Sequence, residues 1–287
     1  MTSAEIGVSD NLSNNWLHLG ERTQGLFEKV LTADTQKLGV AEAWQVIWAP
    51  MTAFPLATPG DRGAVAAAIL TAAIRSWLPT APGFAVLGKT QASGKTTLAL
   101  CIGELAGIDK IAIIPGGMRD EAVWGRIITA LLDGSTILLD NFYGKLSSPA
   151  ITTLLTHESF ALTALQRKTP PVMAYTNVMT LMTGSALLDA ELQSRFVIAE
   201  LAAEKSLPMR RLGATPRKFY REHRREISAA ALALLGRYIA AGAERISSDQ
   251  PGLEFQSWDE LVRQCVLWLA RSGIAELGDP VANSFPR

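Results

Sequence analysis

The apolar residues of this chain occur in short uninterrupted runs, and segments of helical periodicity separate these runs. Each run has about four residues, and the clearest are 84–87, 111–114, 136–139 and 196–199. Continuous rather than alternating apolar runs are typical of strands that are buried on both faces. The alternation of such strands with helices predicts an α/β core, in which helices cover both faces of a parallel sheet.

Helix boundaries are marked by capping residues, glycine and proline. The pattern predicts helices over 61–78, which Pro79 closes, over 96–106, and from Asp120 to a stop at Gly134. Ser148 can cap a further helix with Pro149 in its first position, and Ser185 can cap another. Residues 160–165 and 172–176 are predicted to be two strands that flank a polar turn.

No strand pattern occurs after about residue 203. Thr215 and Pro216 open a long predicted helix that runs towards Gly242, and Ser257 to Glu260 forms a predicted capping box before an apolar helix face. We therefore expect an N-terminal arm with short helices (1–58), an α/β core (59–202) and a C-terminal all-helical lid domain (203–287).

Composition narrows the function only slightly. The 287 residues contain 27 basic and 27 acidic side chains, so affinity for nucleic acid must come from local basic patches. Cys101 and Cys265 lie far apart, which excludes a disulfide scaffold and a zinc site of ordinary spacing. The first residues lack the features of a secretory signal, and prolines and polar residues interrupt the longest uncharged stretch. We expect a cytoplasmic protein without a membrane segment.

The most specific motif is the segment from Gly88 to Thr97, which lies between a predicted strand and a predicted helix, as a phosphate-binding loop does. Small residues in such a loop let backbone N–H groups converge on phosphate, Lys95 can reach the β- and γ-phosphates, and Thr96 can hold Mg²⁺. In the usual phosphate-loop pattern, GxxxxGK(S/T), the first glycine would be residue 89. This chain has Lys89 there, and Gly88 lies one residue earlier. An ordinary glycine-rich turn is the alternative. The predicted nucleotide-binding residues are Thr90, Gln91, Ala92, Ser93, Gly94, Lys95, Thr96 and Thr97.

Asp140 ends an apolar run 45 residues after Lys95. A carboxylate there can bind Mg²⁺ together with Thr96, although it can also simply end the strand. Asn141 follows, at the position where hydrolytic ATPases of this class usually have glutamate, and is a further candidate catalytic residue.

Two more polar residues lie beside predicted strands. Asn177 follows the strand 172–176, and at the end of a central strand it could orient the attacking water; otherwise it is a turn residue. Arg195 precedes the last strand, where oligomeric ATPases place an arginine that reaches the γ-phosphate of the next subunit. A surface salt bridge is the other interpretation of Arg195.

The order of these motifs resembles a known family. Residues from about 61 to 280 are similar to the AAA+ helicase domain of phage, plasmid and integrative-element replication proteins, which is akin to poxvirus-type primase-helicases and superfamily three helicases. Ser194-Arg195-Phe196 also resembles the minichromosome maintenance helicases, and the segment from Trp258 to Pro280 resembles the closing pattern of the family. The resemblance implies a P-loop NTPase fold (AAA+/ASCE), ATP and Mg²⁺ as cofactors, and a hexameric ring with DNA in its pore.

Two basic features are candidate DNA contacts. Arg167 and Lys168 lie in the predicted turn before Asn177, which resembles the pre-sensor hairpin of the family; a solvated turn is the alternative. A stripe on the predicted lid helix could sense phosphate, hold DNA or be a solvated face. It consists of Arg217, Lys218, Arg221, Arg224 and Arg225.

The leading hypothesis is an ATP-dependent, oligomeric DNA helicase or translocase motor of a mobile element, acting on single-stranded DNA and served by a separate primase. The rival is a nucleotide-binding assembly module that forms a ring or filament on DNA or a partner and hydrolyses ATP little. Lys89 and Asn141 favour the rival.

Overall fold

A computed structural model describes residues 21–32, 38–90, 93–106, 110–162, 171–202 and 216–285. Its strands are β1 (Gly83–Leu87), β2 (Ile111–Pro115), β3 (Thr136–Leu146), β4 (Ser159–Leu162), β5 (Val172–Tyr175), β6 (Thr180–Leu188) and β7 (Phe196–Glu200). Its α-helices are α1 (Glu21–Thr32), α2 (Val40–Trp48), α3 (Pro59–Ile74), α4 (Lys95–Leu105), α5 (Asp120–Leu132), α6 (Pro149–Thr156), α7 (Ala190–Gln193), α8 (Pro216–Glu222), α9 (Arg224–Ala240), α10 (Gln256–Trp258) and α11 (Gln264–Arg271). No helix in these ranges is long and apolar enough to cross a membrane.

Five strands form one parallel sheet in the order β2-β3-β6-β1-β7. The predicted apolar runs are its strands β1, β2, β3 and β7, and helices pack on both faces. The predicted α/β fold class, a P-loop-like parallel sheet between helices, is confirmed. Strand β1 lies between β6 and β7, the last two strands along the chain. The loop after β1 therefore starts from an interior strand of the sheet and not from an edge strand.

The two faces of the sheet belong to different apolar clusters. Phe84 and Val86 point into the larger cluster with α1–α4, α8, α9 and the C-terminal helices, whereas Ala85 joins α5 and α6 on the other face. A buried hydrogen bond from Trp258 Nε1 to Thr71 Oγ1 (2.8 Å) ties α10 to α3. Elements of all three predicted regions share the larger cluster, and the predicted boundaries at 58 and 202 stay predictions.

The central strand β6 is the largest departure from the sequence prediction. Ser185 does not cap a helix, because residues 180–188 form a strand between β3 and β1. The first five residues of β6 are buried. Gly184 and Ser185 interrupt the apolar run and made it resemble a turn, whereas burial of Leu181 and Met182 between two neighbouring strands fixes it as β-structure.

Strands β3 and β6 continue together beyond the carboxyl edge of the sheet. Their pairing shifts register between Leu139 and Phe142, where Asn141 has a left-handed φ of 59°. Gly184 has a φ of 147°, and a Cβ atom there would lie 1.8 Å from the Phe142 carbonyl oxygen, so only glycine fits. We call the paired residues 142–146 and 184–188 the β3–β6 ribbon.

Helix caps follow the predictions in part. Ser148 caps α6 by accepting a hydrogen bond from the Ile151 N–H (3.2 Å), as predicted. The predicted capping box at Ser257 is wrong, because the helix begins at Gln256 and leads into a π-helical turn, Asp259–Arg263. A capping box does form at the start of α3, between Thr58 and Asp61.

The two predicted strands before β6 form an antiparallel hairpin, β4–β5, outside the main sheet. Strand β5 is therefore not a central strand, contrary to what the interpretation of Asn177 requires. The turn of this hairpin, with Arg167 and Lys168, lies outside the described residues.

The predicted long lid helix is broken at His223 into α8 and α9. Arg217 and Arg221, on α8, both bind Glu104 of α4: Arg217 Nε lies 2.5 Å from Oε1, and Arg221 donates to both carboxylate oxygens at 2.8 and 3.0 Å. Glu104 is only 2% exposed. The stripe is therefore not simply a solvated face, because two of its members join α8 to α4.

We expect Glu104→Gln to lower the free energy of unfolding by about 2 kcal/mol, because it removes charge-assisted hydrogen bonds to two arginines. Urea unfolding measures this. Glu121→Gln, on the exposed side of α5, is the matched control and should change stability by less than about 0.5 kcal/mol. Equal stability of the two variants would contradict a structural role for Glu104.

The same ion cluster predicts a pH dependence. Burial raises the pKa of the Glu104 carboxyl, but hydrogen bonds from Arg221 and Arg217 outweigh burial and hold that pKa below its ordinary value. The stabilising effect of the ionised Glu104 carboxylate is therefore complete above the unfolded-state pKa of about 4.3 and is lost as the pH falls through the lower native pKa. The stability difference between wild type and Glu104→Gln should shrink over that acid range.

Candidate functional site

The carboxyl ends of three adjacent strands meet at one point of the sheet edge. Strand β1 leads into the phosphate-loop motif, β3 reaches Asp140 at this level, and β6 reaches Thr183. Ligands of open α/β sheets bind outside the carboxyl ends of the strands. This edge is the candidate functional site.

Two hydroxyl groups converge on one carboxylate oxygen there. Thr96 Oγ1, in the first turn of α4, donates to Asp140 Oδ1 at 2.9 Å. Thr183 Oγ1 donates to the same oxygen at 2.6 Å and accepts a hydrogen bond from the Asn141 N–H at 3.1 Å. The cluster thus joins α4, β3 and β6 and brings the sequence motifs around Thr96 and Asp140 together.

The loop before α4 bends back at Gly94, whose φ is 91°. The Lys95 ammonium donates to the Thr90 carbonyl oxygen (2.7 Å) and to Ser93 Oγ (3.1 Å). Partial burial lowers the pKa of Lys95. Thr97 follows in the same helical turn. Gln91 and Ala92, also predicted to bind nucleotide, lie outside the described residues.

Glycines bring backbone segments close together around this loop. The Gly88 N–H donates to the Gly184 carbonyl oxygen (3.1 Å), and a Cβ atom at Gly88 would lie 3.2 Å from the Leu201 carbonyl oxygen. On the other side, a Cβ atom at Gly116 would lie 2.4 Å from the Asn141 carbonyl oxygen. Glycine at 88 therefore fits a tight approach to the segment that follows β7, one residue before its position in the usual motif.

The donor set fits a magnesium ion with a nucleotide phosphate. Hydroxyl and carboxylate oxygens, here from Thr96 and Asp140, are ligands that Mg²⁺ accepts. Gly94 leaves the start of α4 without a side-chain cap, so its first N–H groups can face an anion. Lys95 adds a cation whose present partners are uncharged oxygens.

Thr183 is the site residue that the sequence prediction missed. It is 1% exposed and lies on the strand between β1 and β3. Only recognition of β6 as a central strand would have revealed it, because nothing in the local sequence marks this threonine. Asn141 lies beside it with an exposed side chain, and its left-handed backbone is one that asparagine tolerates.

The structure does not bring Asn177 to this site. Asn177 precedes β6, at the amino edge of the sheet, and its Nδ2 donates to the Ser76 carbonyl oxygen at 3.2 Å. The neighbouring Thr176 carbonyl oxygen accepts from the buried Arg75 guanidinium (2.6 Å). These contacts stabilise the segment that leads into β6. The predicted placement of Asn177 beside the phosphate loop is wrong, because β5 is not part of the main sheet.

Arg195 also lies at the amino edge, directly before β7, and its carbonyl oxygen accepts from the Gly83 N–H (3.0 Å). Its side chain is 14% exposed, and Nη1 lies 3.6 Å from Glu254 Oε2. The Nε atom is buried with no hydrogen-bond partner in the described part of the chain. Arg195 is therefore remote from the phosphate loop of its own chain.

The remaining basic candidates lie on α8 and α9. Lys218 is exposed and pairs with Glu222 at 3.7 Å, while Arg225 is exposed and Arg224 half-buried. Glu104 is nine residues after Lys95 on α4, about 13 Å along the helix at 1.5 Å per residue. Arg217 and Arg221 therefore lie away from the phosphate loop, which removes the support for a phosphate-sensing role.

Neither a protein-family model nor a curated protein matches this chain. Among solved structures, a JCV helicase crystallised with a small molecule is similar, with 15% identity and a TM-score of 0.39, over 92% of this chain and 71% of that one. The NrS-1 C-terminal region is similar with 14% identity and a TM-score of 0.29, over 93% of this chain and 52% of that one. Because both TM-scores are below 0.5, the functional argument rests on the residues of the site.

The hydroxyl–carboxylate cluster makes a direct prediction. Thr183→Val keeps the side-chain volume but removes the acceptor of the Asn141 N–H and leaves Thr96 as the hydroxyl donor to Asp140 Oδ1, so we expect a loss of about 1–3 kcal/mol in the free energy of unfolding. Urea denaturation measures it. Thr183→Ser, which keeps the hydroxyl, should lose only the methyl contribution of about 1 kcal/mol. A valine variant as stable as wild type would show that these hydrogen bonds do not matter.

Proposed function

We propose that this chain is an ATP-dependent DNA helicase or translocase motor that works as a ring oligomer, with a hexamer as the expected state. The carrying observation is the meeting of Thr96, Asp140 and Thr183 beside the phosphate-loop lysine. The sequence motifs and the parallel sheet support this function, because both are typical of P-loop ATPases. Single-stranded DNA as substrate, a separate primase and a cytoplasmic location remain part of the proposal.

In this proposal each residue at the carboxyl edge has one task. Bound Mg·ATP would supply the transferable phosphoryl group and the metal that neutralises its charge. Thr96 and Asp140 would hold the metal, and Lys95, now bound to Thr90 and Ser93, would bind phosphate oxygens. Thr183 orients the Asp140 carboxylate from the adjacent strand.

Asn141 sets the limit on hydrolysis. Its amide can orient a water molecule but cannot accept the proton of that water, as a glutamate would. Hydrolysis therefore has no carboxylate base at this position. This observation favours the second candidate, an ATP-binding assembly module that oligomerises on DNA or a partner with little hydrolysis.

Arg195 would act on the nucleotide of a neighbouring subunit. Its position at the amino edge excludes direct contact with the phosphate loop of its own chain, and within the described ranges its Nε has no hydrogen-bond partner. In the trans role its guanidinium, now beside Glu254, would bind the γ-phosphate of the neighbour. The exposed Lys218 and Arg225, with Arg224, Arg167 and Lys168, remain proposed DNA contacts.

We expect Lys95→Ala to abolish binding and turnover of Mg·ATP, because the loop loses the cation that faces the phosphates. Titration with a fluorescent ATP analogue and a phosphate-release assay measure the two effects. Lys89→Ala is the matched control, since Lys89 is exposed in the same loop, and it should retain both. Undiminished ATPase activity in Lys95→Ala would refute the assignment of the site.

Arg195→Ala should lower turnover at least about tenfold, since an arginine finger contributes roughly 10³–10⁵ in the best-studied cases, while ATP binding stays intact. Mixing Arg195→Ala with Lys95→Ala protein should restore activity, because interfaces then form with an intact lysine on one side and an intact arginine on the other. If no mixing ratio restores any activity, Arg195 does not act in trans.

The two candidate functions differ in what ATP does to the assembly. Sedimentation with ATP measures the size of the oligomer, and a parallel phosphate-release assay measures turnover. If the chain is a motor, single-stranded DNA should stimulate this turnover. An oligomer whose size changes with ATP while no phosphate is released would instead support the assembly module.

A further inference from the structure

The β3–β6 ribbon has one buried face and one exposed face. Phe142 and Ala186 belong to the apolar cluster under the sheet. The alternate residues along the two strands are exposed on the other face: Tyr143, Lys145, Ser185 and Leu187. Parallel pairing sets Tyr143 beside Ser185 and Lys145 beside Leu187. The outward face therefore presents an aromatic ring, an ammonium group and an aliphatic side chain together.

Tyr143 and Leu187 are unusually open to solvent for their residue types. Tyr143 is 65% exposed and Leu187 is 69% exposed, and Lys145 is exposed beside them. The backbone beneath them is held by strand pairing and by the close approach of Gly184 to the Phe142 carbonyl. A rigid exposed aromatic side chain loses little conformational entropy when a flat ligand stacks on it.

The ribbon carries one cation and no anion, and the Asp189 carboxylate directly after it accepts a hydrogen bond from the Leu192 N–H. Lys145 is the sole charged residue of the ribbon, whose residues all lie in the described part of the chain. A Cβ atom at Gly117 would lie 3.2 Å from the Tyr143 hydroxyl, so the loop after β2 borders the ring. Arg119, two residues further along that loop, is exposed and adds a second cation.

We infer that the outward face of the β3–β6 ribbon binds single-stranded DNA, with a base stacked on Tyr143 and Leu187 and backbone phosphate on Lys145. An aromatic platform beside cations is the combination that binds single strands without regard to sequence. The exposed cations Lys145 and Arg119 favour a polyanion over an apolar protein partner. This inference rests on the DNA-binding part of the proposed function and names a surface for it.

The surface is connected to the nucleotide site through two residues of one strand. Tyr143 follows Phe142 and Asn141, and the Asn141 N–H donates to the Thr183 hydroxyl that holds Asp140. DNA on the ribbon therefore contacts the strand that carries the proposed metal ligand.

The test is the fluorescence anisotropy of labelled single-stranded DNA with the full chain at several salt concentrations. Tyr143→Ala should weaken binding roughly 5- to 100-fold by loss of stacking, whereas Tyr143→Phe should bind within about twofold of wild type. Lys145→Ala should lower the slope of log K against log salt by about 0.7, as expected for one lost phosphate contact. Tyr143→Ala should leave that slope unchanged.

Matched controls lie at the amino edge of the sheet. Tyr175 is 59% exposed and Lys110 is exposed before β2, so Tyr175→Ala and Lys110→Ala repeat the same chemical changes away from the ribbon. Both should bind DNA as wild type does. If Tyr143→Ala and Lys145→Ala bind as these controls do, the ribbon is not the DNA surface, although the motor proposal stands.

Two other outcomes would also overturn the inference. If wild type binds no single-stranded DNA while it binds ATP, both the ribbon surface and the DNA part of the proposed function fail. If Tyr143→Ala changes the oligomer size without DNA and leaves DNA affinity intact, the surface is an interface between copies of this chain.

Discussion

The Oδ1 atom of Asp140 is the acceptor on which the arrangement of the candidate site depends. Two hydroxyl donors, from Thr96 and Thr183, share this one oxygen, and both come from elements that flank β3. Because Thr183 is buried, its hydroxyl has few alternative partners, and an unmade hydrogen bond there costs stability. The contact therefore fixes the position of the carboxylate relative to the helix that begins at Lys95. A phosphate and its metal need a lysine and a carboxylate at a fixed spacing, and this cluster supplies it.

Directly beyond that acceptor, the two strands leave the sheet together, and their backbone allows few residue types. Asn141 takes a left-handed conformation, and Gly184 lies where any side chain would collide with the Phe142 carbonyl. The asparagine that weakens the case for hydrolysis thus also suits the backbone turn. The ribbon that follows buries Phe142 and exposes Tyr143. A structural constraint at the site accordingly determines what the neighbouring surface presents to solvent.

The parts of the site that sequence could predict are those with a local signature. The loop before Lys95 and the apolar strand that ends at Asp140 have fixed spacings, and the structure brings them together. Strand β6 was missed because Gly184 and Ser185 resemble a turn, and its burial comes from strands far away in sequence. Without β6, Thr183 had no visible role, and Asn177 was placed at the wrong edge of the sheet.

The basic residues show the same limit. The stripe on α8 was visible as helical spacing, but the partner of Arg217 and Arg221 is Glu104, which lies more than a hundred residues earlier. Nothing local distinguishes an arginine bound to a buried carboxylate from one that faces solvent. Helix caps differ in this respect. Ser148 acts within three residues and was predicted correctly, whereas the later helix begins at Gln256, one residue before the predicted cap Ser257.

All the proposed roles depend on the binding of a nucleotide, through magnesium, to the cluster around Asp140. Calorimetric titration of the full chain with ATP, in magnesium and again in EDTA, measures this binding. We expect saturable binding of one ATP per chain with magnesium and much weaker binding in EDTA or with Asp140→Asn. A folded protein that binds no ATP with magnesium up to about 1 mM, the upper end of ordinary KM values, would contradict this expectation.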